Sequence, residues 1–446
     1  MSLLGLQAFR ARILHFTDMP DAVTQAGVEY FEDGVLLLEN GRVKKVASAQ
    51  AFADDGFDLR ECEHFPEHLI MPGFIDSHVH YPQTDVIASY GNQLLDWLNQ
   101  FTFPTELQFA EPEFAAIAAE QFLQLLLENG TTTAMVYTTV FAQSTEAFFS
   151  AAAKKNLRMI AGKVMMDRNA PAGLLDTPES SEHDNRQIIE RWHQQGRLHY
   201  ALTPRFAPTS SPEQLAVTGK LYRDYSDLYL QTHLSENHQE IAWIKQLFPN
   251  ARDYLDVYDS FGLLGPRSIF GHGIHLSDVE LNRLAETQSG IAFCPTSNLF
   301  LGSGLLDVAR IEAAKIPLSI ATDVGGGTSF SLLRTLAEAY KILQLQGQKL
   351  HPLKGLYMAT LGNARALHLD SHIGNFAPGK EADFVVLNLS PTPLQLSRHK
   401  KTSCLADTLF ALMTLGDEHN IARTYIMGKL AFSRSARAQG DLQWLI

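Results

Sequence analysis

Asp76-Ser77-His78-Val79-His80 sets two histidines two residues apart behind an apolar run. In an extended strand, positions i and i+2 face the same side. His78 and His80 therefore present two imidazoles in one direction, which is how a strand offers itself to a metal ion. Three more residues of ligating type, His233, His272 and Asp323, end short apolar runs further along. Nitrogen and carboxylate donors without thiolate suit zinc or ferrous iron. The three cysteines, Cys62, Cys294 and Cys404, lie far apart, so neither a Cys-x-x-Cys zinc motif nor a disulfide framework is expected.

Ligands so distant in sequence meet only if the fold brings several strand ends to one place. The middle of the chain alternates short apolar runs with longer amphipathic stretches, the pattern of β/α units around a parallel sheet. Eight strands are read: one ending at His80, then 132–137, 159–166, 199–205, 229–233, 268–272, 290–294 and 318–323. Eight strands over ~300 residues predict an α/β fold of the (β/α)8 TIM barrel type, with its active site at the C-terminal strand ends. The candidate ligands all fall at such ends. Residues 69–75 read as a buried apolar strand leading into the motif. Residues 113–129 read as an amphipathic helix. The segment 81–111 is rich in aromatics, Trp97 among them, and reads as a lid or a packed helical insertion.

Both ends of the chain differ from the middle. Residues 34–43 predict a hairpin about Asn40-Gly41, residues 382–387 a strand, and residues 424–432 a second hairpin. These predict a small β-sandwich domain formed from both termini, residues 1–70 and 375–446, beside a catalytic barrel of residues 71–374.

Composition limits the partners. The 446 residues hold 36 basic and 49 acidic side chains, a net charge of −13, which argues against nucleic acid and anionic membrane as partners. The N-terminal residues show no basic, apolar leader, and no apolar run approaches the ~20 residues of a membrane span. A cytoplasmic protein is expected.

The strand-one motif, Pro72-Gly73-Phe74-Ile75-Asp76-Ser77-His78-Val79-His80, resembles that of the amidohydrolase superfamily of metal-dependent barrels. Gly379-Lys380-Glu381-Ala382-Asp383-Phe384 resembles its usual return into the β domain. Within that superfamily the chain resembles the guanine deaminases, over most of residues 30 to 430. The specific stretches are His78-Val79-His80-Tyr81-Pro82-Gln83, Lys163-Val164-Met165-Met166-Asp167, Thr203-Pro204-Arg205-Phe206-Ala207-Pro208, His233-Leu234-Ser235-Glu236 and Cys294-Pro295-Thr296-Ser297-Asn298-Leu299. The resemblance implies hydrolytic deamination of guanine to xanthine and ammonia, and a homodimer. Two-metal members of the superfamily carry a bridging lysine on the fourth strand. This strand ends in Arg205, and Lys163 lies inside the third. One zinc ion per subunit, or ferrous iron, is therefore expected on His78, His80, His233 and Asp323.

Site roles follow as expectations of the same kind. Asp323 accepts a proton from the attacking water, and Glu236 protonates ring nitrogen N3. His272 orients the water or ligates the metal. Arg205 carries only donors and suits the O6 acceptor of guanine. Gln83 has both donor and acceptor atoms and suits the N3 and amino edge. Phe206 stacks on the base or belongs to the core. His80, His233, Glu236 and Asp323 also line the substrate site. Asp167 and Asn169 support the site or turn the chain. Gly325-Gly326-Gly327 reads as a flexible loop rather than a phosphate cradle, and Cys294 as buried and inert. Two rival readings are another single-metal aminohydrolase, acting on a triazine, pterin or adenosine-type substrate, and an inactive amidohydrolase-like scaffold.

Overall fold

The computed structural model describes residues 5–91 and 93–437. Four strands open the chain: β1 (Leu6–Phe16), β2 (Val28–Glu39), β3 (Arg42–Ser48) and β4 (Glu63–Pro72). Nine more follow: β5 (Phe74–His80), β6 (Thr131–Tyr137), β7 (Arg158–Gly162), β8 (Val164–Met165), β9 (Leu198–Pro204), β10 (Tyr229–Leu234), β11 (Ser268–His272), β12 (Gly290–Phe293) and β13 (Leu318–Ile320). Three close it: β14 (Phe384–Asn388), β15 (Ile421–Ile426) and β16 (Lys429–Ser433).

The middle strands form the predicted barrel. Neighbours run in the order β5-β6-β7-β9-β10-β11-β12-β13, all parallel, with β8 a short extension paired to β9. Ile75, Met135, Ile160, Ala201, Tyr229, Ile269 and Ala292, from successive strands, fill its interior with Ala321 just past β13. A barrel of this size is a packed core, not a pore. Its remaining seam is closed by specific bonds. Asp323 N–H donates to the His78 carbonyl at 2.9 Å, and His80 N–H to the Val324 carbonyl at 2.8 Å. Asp76 accepts from the Thr322 amide and hydroxyl. Asn363 Nδ2 donates to the carbonyls of Ile75 and Ile320. Burial pushes the Asp76 carboxyl up to about 6, although the Thr322 bonds pull the other way.

Three sequence expectations need correction. The run 69–75 is not one strand: the chain leaves the terminal sheet after Pro72 and enters the barrel at Phe74. Gly73 is the hinge, since a Cβ there would collide with Thr132 Oγ1. The third strand breaks at Lys163, whose N–H donates to the side-chain hydroxyl of Tyr200 on β9 instead of to a backbone carbonyl. The eighth ladder stops at Ile320, because residues 321–323 turn toward β5 to close the seam.

The terminal strands build one seven-stranded sheet, β16-β15-β14-β4-β1-β2-β3. Asn40-Gly41 turns the β2–β3 hairpin with both residues at positive φ, as such a two-residue turn requires. The sheet curls over its own core. Three strand spacings in a flat sheet span about 14 Å, yet the rings of Phe9 on β1 and Tyr425 on β15 have centroids 5.1 Å apart. The β3 edge returns to bond residues just before β14, at Arg42–Glu381 and at Val43. Strands from both termini thus share one separate sheet, curled on itself.

Helix Pro112–Glu128 covers the first β/α step, as predicted. Segment 81–111 folds into short helical turns, including Leu94–Trp97 and Phe103–Glu106. Their apolar side chains pack with Val164, Met166, Phe206 and Leu301 over the C-terminal mouth of the barrel. No helix among the described residues is long and apolar enough to cross a membrane.

Candidate metal and substrate site

The strand ends converge as their spacing demands. Ligand atoms of His78, His233, His272 and Asp323 lie within 4.8 Å of one another. His80 joins them: its Nε2 stands 3.2 Å from His78 Nε2 and 3.3 Å from Asp323 Oδ1. His78 Nε2 is also 3.3 Å from Asp323 Oδ1. Ligands held about 2.0 Å from a tetrahedral zinc ion are separated by about 3.3 Å. The spacing of these three atoms therefore fits such an ion, and the all-nitrogen-and-oxygen donor set agrees.

Local conformation aims the groups. Ser235, His272 and Asp323, each at or just beyond a strand end, take left-handed φ of 48°, 70° and 50°. Such conformations are uncommon for non-glycine residues and gather at functional sites. His233 Nδ1 lies 2.7 Å from the Arg205 carbonyl, which turns Nε2 toward the cluster. His272 Nδ1 lies 2.9 Å from Asn298 Oδ1, which leaves Nε2 facing Glu236 Oε2 at 3.3 Å and Asp323 Oδ2 at 3.6 Å. The His78 ring occupies the space beside Gly271, where a Cβ would fall 2.6 Å from its Cε1.

Burial sets the protonation states. It holds His80 down to about 3 and His233 well below the usual imidazole range, so both rings are neutral and able to ligate. Burial opposes ionisation of Asp323, but His78, His80 and His272 outweigh it and keep this carboxylate ionised. Glu236 has the opposite balance. Burial, then the charge of Asp323, raises its carboxyl to about 8, against a 3.1 Å hydrogen bond from Ser303 Oγ. Two carboxyl groups that face one histidine are thus driven to different protonation states.

A narrow cleft opens over these groups. Gln83, Arg205 and Phe206 line it with His80, His233, Glu236, His272 and Asp323, so all the expected substrate-side residues meet there. Trp97 lines it too, from the first loop. Phe206 is both wall and core, being packed among the apolar residues under that loop.

Several expectations resolve as support rather than chemistry. Lys163 is fully buried and paired to Asp176 at 2.6 Å. Asp167 holds Ser211, the N-cap of helix Pro212–Asp224, and Asn169 bonds the Pro208 carbonyl. Cys294 is buried in the barrel interior with its thiol pushed well up by burial. The glycine run is corrected: it is a tight turn, not a flexible loop. Side chains at Gly325 and Gly326 would strike Gln83 and Ser297, and Gly327 N–H donates to the Asp323 carbonyl at 2.6 Å.

Other partners escaped sequence reading. Glu106 in the first loop takes Arg205 Nη1 on both carboxylate oxygens at 2.7 Å. Glu240 Oε2 accepts the Glu236 amide at 3.0 Å and steadies that turn. Asn298 and Asp76 lie within motifs already quoted, but their partners come from other strands. The one local signal for Glu106 is a carboxylate in the otherwise uncharged stretch 97–110.

Comparison with known proteins bears on this site. The profile of the amidohydrolase family matches residues 69–431. The guanine deaminase of Escherichia coli (strain K12) is 50% identical over 433 residues, covering 96% of this chain and 98% of that protein. A solved structure of E. coli guanine deaminase superposes with a TM-score of 0.92 at 48% identity, covering 96% and 99% of the two chains. A guanine deaminase from C. acetobutylicum with guanine bound in its active site superposes with a TM-score of 0.86 at 29% identity, covering 96% and 100%.

Proposed function

The chain belongs to the amidohydrolase family, and from that premise we propose the chemistry of its site. The protein is a hydrolase, a guanine deaminase that converts guanine and water to xanthine and ammonia. The observation that supports the mechanism best is the split between the two carboxyl groups. One proton acceptor, Asp323, and one proton donor, Glu236, face a single histidine, His272, beneath the cleft.

One divalent ion, zinc or ferrous iron, would be held by His78, His80, His233 and Asp323. Such an ion would supply polarisation of the attacking water, which lowers the pKa of water from 15.7 toward about 7. Asp323 takes the proton that the water gives up. Glu236 delivers its proton to N3 as the water oxygen bonds to C2. The proton held by Asp323 then goes to the departing amine, while Glu236 takes the remaining proton of the former water. That leaves the C2 carbonyl of xanthine and restores both carboxyl groups. His272, fixed by Asn298, holds the water in line between the two. Arg205 donates to O6 through the nitrogens that Glu106 leaves uncommitted. Gln83 meets the N3 and amino edge, and Phe206 and Trp97 flank the ring. A cytoplasmic homodimer completes the proposal, on the ground of the family resemblance.

Ammonia release from a panel of guanine, adenine, cytosine and melamine tests substrate choice; guanine turnover no better than the others sinks it. Elemental analysis of the purified protein tests the metal. One equivalent of zinc or iron is expected, and less than about half an equivalent counts against ligation.

A further inference from the structure

We propose that Glu106 is the positioning residue of the base-reading edge. It fixes Arg205 and Gln83 in one relation and cancels the guanidinium charge, so that the cleft takes a neutral purine. The inference rests on the reading of Arg205 and Gln83 as guanine contacts.

Three observations meet on this carboxylate. Glu106 is fully buried and Arg205 is 3% exposed, so neither charge has water to fall back on. Both Glu106 oxygens accept from the same nitrogen, Arg205 Nη1. Among the described residues no other group hydrogen-bonds the guanidinium, so Nη2 and Nε remain for a ligand. Gln83 Nε2 donates to Glu106 Oε1 at 3.4 Å, while Gln83 Oε1 accepts the Gly325 amide at 3.2 Å. Phe103, one turn earlier in the same short helix, lies against the Arg205 guanidinium at 5.5 Å.

The consequence is electrostatic as well as geometric. A buried arginine without a counter-charge attracts anions; one already paired offers hydrogen bonds at little net charge. Guanine is neutral near pH 7, whereas xanthine is the stronger acid and ionises in mildly alkaline buffer. The Glu106–Arg205 pair therefore favours substrate over ionised product. Because Glu106 belongs to the first loop, the reading edge is complete only when that loop is seated on the barrel.

Steady-state kinetics of Glu106→Gln tests this. KM for guanine is expected to rise about tenfold or more while kcat stays within about threefold and metal content is unchanged. Inhibition by xanthine at alkaline pH is expected to tighten by about threefold or more. In an Arg205→Gln background, the same change is expected to add less than about twofold to KM, since Glu106 acts through Arg205. An unchanged KM, a fall in kcat alone, weaker xanthine inhibition, or independent multiplication of the two effects overturns the proposal. If Glu106→Gln does not accumulate as folded protein, Glu106→Asp gives the same reading: KM raised about threefold or more with kcat held, an unchanged KM being the contrary result. Wild-type guanine turnover is the separate control: its absence sinks the functional reading, and its presence with a normal KM in the variant sinks the clamp alone.

Discussion

At the scale of single residues, the site works by making two chemically similar groups different. Asp323 sits among imidazoles and stays ionised, while burial and that neighbouring charge raise the Glu236 carboxyl to about 8. Glu236→Gln preserves shape but cannot cycle a proton. A loss of roughly 10²–10⁴ in kcat is expected with metal retained, read by ammonia release beside elemental analysis; substantial activity would remove its acid role. The sign of the pH effect follows. The donor form is present below the folded value and lost above it, so kcat/KM falls on the alkaline side. A bound cation lowers that value, which puts the limb at or below about pH 8. Arg205 needs a different test from the one its sequence suggests. A simple truncation appears harmless to the fold until Glu106 is seen. Arg205→Ala leaves that carboxylate buried and unpaired, at a cost of about 3–5 kcal/mol. A lowered thermal midpoint, partly restored by adding Glu106→Gln, is the expected result, and an unshifted midpoint contradicts it.

At the scale of elements, the barrel offers the ligands from separate strands, and what lies between strands decides whether they meet. Gly271 on β11 makes room for the His78 ring on β5. Gly271→Ala places a methyl 2.6 Å from that ring. A displaced ligand is expected to weaken metal affinity by about tenfold or more, read by competition with a chelator; an unaltered affinity would show that the ring can move without loss. The strand ends and the barrel itself were legible because period, length and terminal polar residues survive in a single sequence. The first loop was not. Its aromatics gave two readings, lid or packed insertion, and the structure shows a packed insertion that also walls the cleft. Loop glycines misled for a related reason: composition suggests freedom, whereas Gly325 and Gly326 serve close contact with Gln83 and Ser297.

At the scale of the molecule, the two sheets are joined by buried charge at the end of the barrel opposite the site. Glu381 accepts from Arg158 and Arg197, and Asp383 pairs with Arg197 and accepts the Met427 amide. The return motif Gly379–Phe384 thus bonds to the starts of β7 and β9. Glu381→Gln is expected to destabilise the protein by about 3–5 kcal/mol, with kcat and KM of the folded enzyme unchanged. A denaturation midpoint equal to wild type would contradict the role. Burial opposes ionisation of Glu381, but Arg158 and Arg197 prevail and hold it below the usual range. Its contribution is therefore present above the unfolded carboxylate value and lost as pH falls through the folded one, so the variant loses its disadvantage in acid.

Residue types and their period were enough, in the sequence alone, to determine an eight-stranded barrel, the strand ends that bear His78, His80, His233, His272 and Asp323, and a β domain drawn from both termini. Those properties are local: each is written in a few neighbouring residues. Only the tertiary structure decided which groups share one carboxylate, which carboxyl keeps its proton, and where the barrel seam closes. Glu106 and Arg205 are 99 residues apart, and Asp76 and Thr322 are 246. Pairings at that distance depend on how the strands twist and which side chains lose their water, and no stretch of sequence contains either quantity.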